Sequence, residues 1–545
     1  MSDAGAGAGA DSGGGTRANG RRLLALPRFH PHPRPRTGPV ITHHPIIGIL
    51  GVMLGAIIST LTTRITAFGL ADIRGAIGAG YDEGAWITTS YTVAQMLVAP
   101  ACAFLGAALG PRRVLLVSSA TYGLAVLALP LTGTLSGVLA CQVLAGLSSG
   151  TFIPLTIGFI VRNLPPQYLV YGIAVYAMNV ELSLNFSASL EGWISETLGW
   201  HWIFWDTALL APLMWLCVCF GMPREPLKRD LLKGADWWGI AYASIGFALI
   251  YAALDQGNRL DWLNSGLITG LLLAGGLLVV AFVVQELTCP RPWITFQAFI
   301  HGNIPLLCLL LVMLRLVMLS TAYLIPQFLI TVHNFRSLEV GDTLILIALP
   351  QFLLAPLIGT LLRHVDPRVT MAAGFAAVGM ACFLASHLTV DWVGQNFLPS
   401  QILQAFGQSF AMTSLIFFNV KNLAQAHILT LGALLQTSRL LGGELGAAFI
   451  QTFVRVREQF HSFTLGMNVE AGDPDTVRRL AGYAARLAAR SVGETEAAER
   501  AAALLAGAVR TQAYVLAYSD GFVVIGWFII GGLVLIALLR PAPES

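Results

Sequence analysis

Charge is what this sequence has least of. Of its 545 residues only 11 % are Asp, Glu, Lys or Arg, while 55 % are apolar. A soluble domain carries about 25 % charge. A chain this long cannot cover a water-facing surface with so few charges, so most of its outer face must meet a lipid bilayer. The formal net charge of +3 is too small to speak for nucleic acid as a partner. Cysteine is sparse as well. The seven are Cys102, Cys141, Cys217, Cys219, Cys289, Cys308 and Cys382. Six lie inside apolar runs and Cys289 stands beside Pro290, which excludes a disulfide framework and reads as small apolar filling. Metal-ligand clusters and phosphate-binding loops are missing, so neither metal nor cofactor is expected. Nor is a cleavable leader expected. The first forty residues are rich in Gly, Ala, Pro and Arg, which predicts a disordered cytoplasmic tail over 1–44. The first apolar run starts near Ile46, too long and too far in for a signal peptide.

Long apolar runs dominate the rest. A spanning helix needs about 20 apolar residues. Fourteen segments meet this, at about 46–70, 86–108, 114–132, 138–161, 168–190, 203–221, 238–254, 266–285, 304–329, 343–362, 370–388, 397–419, 429–452 and 513–539. The loop charges agree with that count. With the N-terminus inside, about eighteen Lys and Arg fall on the inner side, Arg112, Arg113, Arg162, Arg224 and Arg368 among them. The short outer loops keep only Arg74, Arg259 and Arg336. This is the positive-inside pattern, and it predicts a multi-pass inner-membrane protein with both termini cytoplasmic. One outer loop is long, 453–512. Asp473 followed by Pro474 reads as a helix start. Val477, Leu480, Ala484 and Leu487 recur at helical spacing, and Ser491 with Glu494 suggests a capping box before a second amphipathic helix.

Several segments resemble the major facilitator superfamily, specifically the fourteen-span drug:proton antiporters of the EmrB/QacA type. The resemblance rests on Gly192-Trp193-Ile-Ser195 followed by Trp200-His-Trp-Ile-Phe204, on Asp236-Trp-Trp-Gly239, and on Leu254-Asp-Gln-Gly257. Arg439-Leu-Leu-Gly442-Gly443 and Arg457-Glu-Gln-Phe-His-Ser462 also match, and the likeness extends over residues 46 to 540. It implies an all-α polytopic membrane protein with two six-helix bundles and two extra central helices. The implied division is 45–222, a two-helix insertion at 223–290, and 291–545. Substrate would bind near the midplane, and access would alternate by rocking of the bundles. Relatives of this type that work with a periplasmic adaptor and an outer-membrane channel have a similar outer loop, so such partners are implied here. Arg112, Arg113, Gly192, Trp193, Arg439, Gly442 and Gly443 would be structural motif positions. The departures from the family are Thr62 where span 1 usually has an aspartate, Gln142 where span 4 usually has an arginine, and Ser187 with Ala188 and Glu191 in place of the span 5 G-P motif.

Ionisable groups inside spans cost roughly 2.5 to 3.5 kcal/mol each on insertion scales, so each is a functional candidate. Here they are Arg64 in span 1, Glu181 in span 5, Arg315 in span 9, and Arg439 and Glu444 in span 13. Under the family repeat, span 1 corresponds to span 9 and span 5 to span 13. Each half then offers an arginine on its first helix and a glutamate on its fifth. From helical rise, Arg64 lies about 27 Å into its span and Glu181 about 20 Å, and tilt would let the two pair. Two readings stand. The charges form salt bridges tying helices together, or they line a cavity in which arginines bind an anionic substrate and a glutamate titrates. Asn185 flanks Glu181 and offers a hydrogen bond to substrate. Gly146-Leu-Ser-Ser-Gly150 fits a nucleophile-elbow pattern, but that motif needs a strand-to-helix turn, and inside a span it reads as small-residue packing. The resulting expectation is a secondary transporter, not an enzyme, exporting a small amphipathic or anionic compound; the resemblance implies protons as a coupling partner, and with Thr62 and Gln142 in place of the usual charges any such coupling uses other groups. The rivals are a facilitator or importer that has lost antiport, and a transporter-derived scaffold or sensor.

Overall fold

A computed structural model describes residues 45–541 apart from 229, 232–234, 291–292, 294–301, 423–427, 471 and 490–492. The expected disordered tail and Ser491 of the expected capping box therefore lie outside the described residues. The first part of the chain forms α1 (Pro45–Phe68), α2 (Leu70–Ile77), α3 (Tyr81–Leu109), α4 (Pro111–Ala128), α5 (Leu135–Ser149), α6 (Phe152–Asn163), α7 (Pro166–Thr197) and α8 (Trp202–Gly221). Next come α9 (Trp237–Gly257) and α10 (Gly266–Thr288), then α11 (Ile304–Val317), α12 (Ile325–His333), α13 (Ser337–Leu361), α14 (Pro367–Ala385) and α15 (Leu398–Asn422). The chain ends with α16 (Ile428–Gly466), α17 (Pro474–Ala488) and α18 (Glu494–Ala537). Among the described residues, twelve helices are long and apolar enough to cross a membrane. At the other two expected positions stand α15 and α16. Both are long enough, but α15 carries buried Gln401, Gln404, Gln408 and Asn419 along its length.

Helix starts follow local chemistry. Pro111, Pro166, Pro367 and Pro474 sit in the first turn of their helices, where a missing N–H costs nothing. Asp236 accepts from the Gly239 amide at 3.0 Å and caps α9. Asp473 accepts from the Thr476 amide at 2.9 Å, as its place before Pro474 leads one to expect. These bonds hold the Asp473 carboxyl below the usual carboxylate range.

The outer region differs from the expected loop with two separate helices. α16 runs on through 453–466 to Gly466, and α18 is continuous from Glu494 to Ala537. Residues 494–512 are rich in Ala, Glu, Leu and Arg and contain no proline, so nothing stops the helix before it enters the apolar stretch. Only α17 stands alone, packed against α18.

The larger hydrophobic core draws chiefly on residues 304–539, and a second draws on residues 52–222 with Ala433. Small residues set the crossings. A Cβ at Gly51 would lie 2.9 Å from the Cys217 Cβ, and one at Gly442 would lie 2.9 Å from the Val312 Cα. Gly146 and Gly150 bring α5 onto α3, where a Cβ would meet the Tyr91 and Gln95 carbonyl oxygens at 2.3 and 2.8 Å. That accounts for the elbow-like motif, and Ser148 inside it merely donates to the Leu144 carbonyl at 2.8 Å.

Helix α7, which gives Leu184 to the site described next, packs along α13. At one end a Cβ on Gly192 would lie 2.4 Å from the Leu338 nitrogen, and one on Gly341 would lie 2.4 Å from the Ser189 nitrogen. At the other end Gly359 faces the Tyr171 ring, where a Cβ would lie 2.6 Å from Cδ1. The two helices run antiparallel and touch at both ends.

Candidate functional site: an arginine-lined cavity

A cavity of ≈ 160 Å³ opens where α1, α3, α7, α9, α11 and α16 meet. Helix α1 gives it Thr60, Thr63 and Arg64; α3 gives Thr92 and Gln95; α9 gives Tyr251; α11 gives Arg315; α16 gives Arg439, Gly443 and Glu444. Apolar walls come from Leu184, Met318, Leu319, Leu440 and Ala447.

Its geometry begins with a proline. Pro326 lacks an N–H, so the carbonyl four residues earlier, at Ala322, has no α-helical donor. The chain relaxes there into a π-helical stretch, Ser320–Leu324, a feature common at functional sites. Arg64 fills the vacancy, its Nη2 donating to the Ala322 carbonyl at 3.0 Å. The guanidinium also lies 5.3 Å from the Phe68 ring centroid.

Arg315 and Arg439 complete a set of three. Arg315 Nη1 reaches the Met318 sulfur at 3.9 Å. Its fork lies over Gly443, where a Cβ would stand 3.6 Å from Nε and Nη2. Arg439 Nε donates to Gln436 Oε1 at 3.0 Å. Among the described residues, the Nε atoms of Arg64 and Arg315 have no acceptor. None of the ion pairs among the described residues involves these three arginines. Glu444 lines the same cavity, as does Tyr251. Buried cations without a carboxylate are expensive, and here one buried and two half-buried share one cavity.

A second polar layer lies beside the cavity. Ser409 donates to Glu181 Oε2 at 3.1 Å. Asn185 donates to Gln408 Oε1 at 3.2 Å, and Gln408 donates to Thr321 Oγ1 at 2.8 Å. Gln404 donates to Ser320 Oγ at 2.8 Å. Two polar side chains of α7 thus reach α15, which in turn holds the π-helical stretch.

The structure brings Arg64, Arg315, Arg439 and Glu444 together and leaves Glu181 and Asn185 outside the cavity wall. The expected Arg64–Glu181 pair does not form: Arg64 takes a backbone carbonyl and Glu181 faces α15. Thr62, at the family's aspartate position, points away from the cavity into a hydroxyl chain with Tyr122 at 2.6 Å. Arg112 donates to the Cys219 carbonyl at 3.0 Å and ties α4 to the end of α8, while Arg113 reaches the Leu109 carbonyl at 3.3 Å. Trp193 is exposed. Sequence reasoning left Arg439 among the structural motif positions and missed Thr60, Thr63, Gln95 and Tyr251. Helical spacing from Arg64 points to Thr60 and Thr63; nothing local marks Gln95 or Tyr251.

A bundle of apolar helices around a central charged cavity defines a multi-pass membrane transporter. The sequence profile described as Major Facilitator Superfamily matches residues 52–447, and the chain belongs to that superfamily. It is similar to the Multidrug export protein EmrB of Haemophilus influenzae, 24% identical over 438 residues, covering 79% of this chain and 84% of that one. The Probable multidrug resistance protein EmrY of Escherichia coli is 25% identical over 433 residues, 78% of this chain and 83% of that one. The Fatty acid resistance protein FarB of Neisseria gonorrhoeae is 24% identical over 413 residues, 76% and 81% of the two chains. Among solved structures, the human organic anion transporter MFSD10 (TETRAN) aligns with a TM-score of 0.53 at 16% identity, over 89% of this chain and 99% of that one. The proton:xylose symporter XylE aligns with a TM-score of 0.52 at 11% identity, over 90% and 96%. These two likenesses concern the fold.

Proposed function

We propose that this protein is an efflux transporter that exports a small amphipathic organic anion across the inner membrane in exchange for protons. One observation carries the choice of anion: three guanidiniums, Arg439 buried and Arg64 and Arg315 half-buried, converge on one cavity, and among the described residues none has a carboxylate partner. An anionic headgroup would supply the missing charge and accept from the free Nε–H groups, and the apolar wall at Leu184, Leu319 and Leu440 would take the organic body. EmrB, EmrY and FarB, named for multidrug export and fatty acid resistance, support an efflux role. Glu444 is the titrating group in this reading, since it lines the same cavity. Glu181 and Asn185 belong to the polar layer that holds α7 against α15, and they change partners when the two halves, 45–222 and 291–545, rock.

In the same reading the chain spans the membrane fourteen times, with α9 and α10 as the inserted pair, α15 and α16 included, and both termini cytoplasmic. Reporter fusions after Ser545 and within 465–505 should then report opposite sides. Val477 is exposed on α17, and Leu480 lines a cleft with Leu505 and Arg510 of α18. This outer face is offered to a periplasmic adaptor that leads to an outer-membrane channel, and cross-linking from Val477 to a co-purified adaptor tests it.

The transport reading is tested in proteoliposomes. A fluorescent aryl sulfonate stays ionised over the working pH range, so its own protonation does not intrude. Imposing an opposed proton gradient should drive the dye against its concentration gradient. Equal dye movement with and without protein contradicts the proposal.

A further inference from the structure

The inserted helix α9 does more than separate two bundles. Tyr251 lies in the cavity wall together with Glu444 of α16 and Thr92 of α3. One helical turn further along the same face of α9 stands Asp255. Its carboxylate accepts from the Thr89 hydroxyl of α3 and from Gln256 Nε2 at 3.0 Å. Gln256 Oε1 accepts from Arg259 Nε at 2.7 Å. Arg259 Nη1 reaches Asp82 at 2.6 Å, and the Asp82 side chain is 82% exposed. Polar groups therefore follow one another from the buried cavity to the rim of the protein along a single helix–helix seam, α9 against α3. Each polar group placed in a span has a cost. Such a row, ending at a carboxyl that lines the cavity, has the form of a proton path.

We infer that Asp255 is the proton relay between solvent at the Asp82 rim and Glu444 in the cavity, with Tyr251 as the hydroxyl between the two carboxyls. The inference rests on the proposed exchange of anion for protons and adds the route. The step balances simply. A hydronium at the rim gives its proton to the Asp255 carboxylate and leaves water. Asp255 then gives a proton to the Tyr251 oxygen as the phenolic proton passes to the Glu444 carboxylate. Tyrosine is unchanged, one proton has moved, and no other reactant is needed. Gln256 and Thr89 position Asp255, and Arg259 holds Gln256. The charged groups facing this row are Asp82 from α3, Arg315 from α11, and Arg439 and Arg455 from α16, with Arg259 and Asp261 at the end of α9. The one charged residue of α10, Glu286, lies at the opposite end of α9, beside Gly239.

The experiment is a pH jump on the full-length protein in lipid nanodiscs, with the protonated-carboxyl band followed by infrared spectroscopy. It needs no substrate, so failure of the transport assay leaves it readable. Glu444→Gln assigns the Glu444 band by its loss. In Asp255→Asn, which keeps an acceptor for Thr89, the Glu444 band should reach full height but rise about tenfold or more slowly. Tyr251→Phe, which keeps the packing, should slow it likewise. Elution as a single species in size-exclusion chromatography confirms that each variant is folded. Unchanged rates in both variants, or the absence of any Glu444 band at any pH, would overturn the relay.

Discussion

Arg64 donates to the Ala322 carbonyl at 3.0 Å, and that carbonyl is open to it because Pro326, four residues on, has no N–H to offer. A proline on one helix thus fixes the position of a half-buried cation on another, across the line where the two hydrophobic cores meet. The arginine is held by a neutral oxygen, which leaves its charge available to a ligand.

Pro326→Ala tests this dependence. Restoring the N–H at 326 gives the Ala322 carbonyl an α-helical donor and sets it in competition with Arg64. Removing a helix-interior proline relieves up to about 3 kcal/mol of local cost. Thermal stability of the purified protein should hold or rise, while export of the aryl sulfonate falls several-fold. Wild-type export with this variant would show that the π-helical stretch does not position Arg64.

Two glycines separate packing from function. At Gly192 even a methyl group would press on the Leu338 backbone, so Gly192→Ala should cost about 1–3 kcal/mol of stability through overpacking and lower the folded yield. At Gly443 the added Cβ would meet only the Arg315 guanidinium at 3.6 Å. Gly443→Ala should fold with wild-type melting behaviour, and Gly443→Leu should fold yet weaken anion binding by displacing Arg315. Equal melting loss in Gly192→Ala and Gly443→Ala would contradict this account.

Much of the fold was legible in the sequence because apolar run length reports spans directly, and runs near Ile46 or Ile304 leave little choice. The outer region was read less well. A loop was expected where α16 and α18 simply continue, since Ala-rich polar sequence outside a membrane is as helical as the apolar sequence inside it. At the site, Arg64, Arg315 and Glu444 stood out because an ionisable residue in an apolar run is conspicuous. Which way each faces depends on helix rotation, and that is set by partners remote in sequence. Glu181 therefore drew attention equal to Glu444 yet points at Ser409. Tyr251 and Gln95 carried no local mark, being uncharged and flanked by ordinary span sequence.

Because Arg64 and Glu181 engage different partners, their removal should be additive. Arg64→Met, Glu181→Met and the double variant form a cycle whose coupling in thermal or denaturant stability should lie within about 0.5 kcal/mol, the tolerance for independent sites. A coupling of several kcal/mol would mean that the two form a buried ion pair.

The central claim, that the cavity is built for an organic anion, is tested most directly by isothermal titration calorimetry of the nanodisc-embedded protein. The aryl sulfonate is titrated beside its uncharged sulfonamide analogue into wild type, Arg315→Met and Arg439→Met. The account predicts saturable binding of the sulfonate to wild type, at least about tenfold weaker binding to each variant from loss of a charge-assisted contact worth about 1.5–3 kcal/mol, and no comparable binding of the sulfonamide. Equal affinity for the charged and neutral ligands, or unchanged sulfonate affinity in both variants, would contradict it.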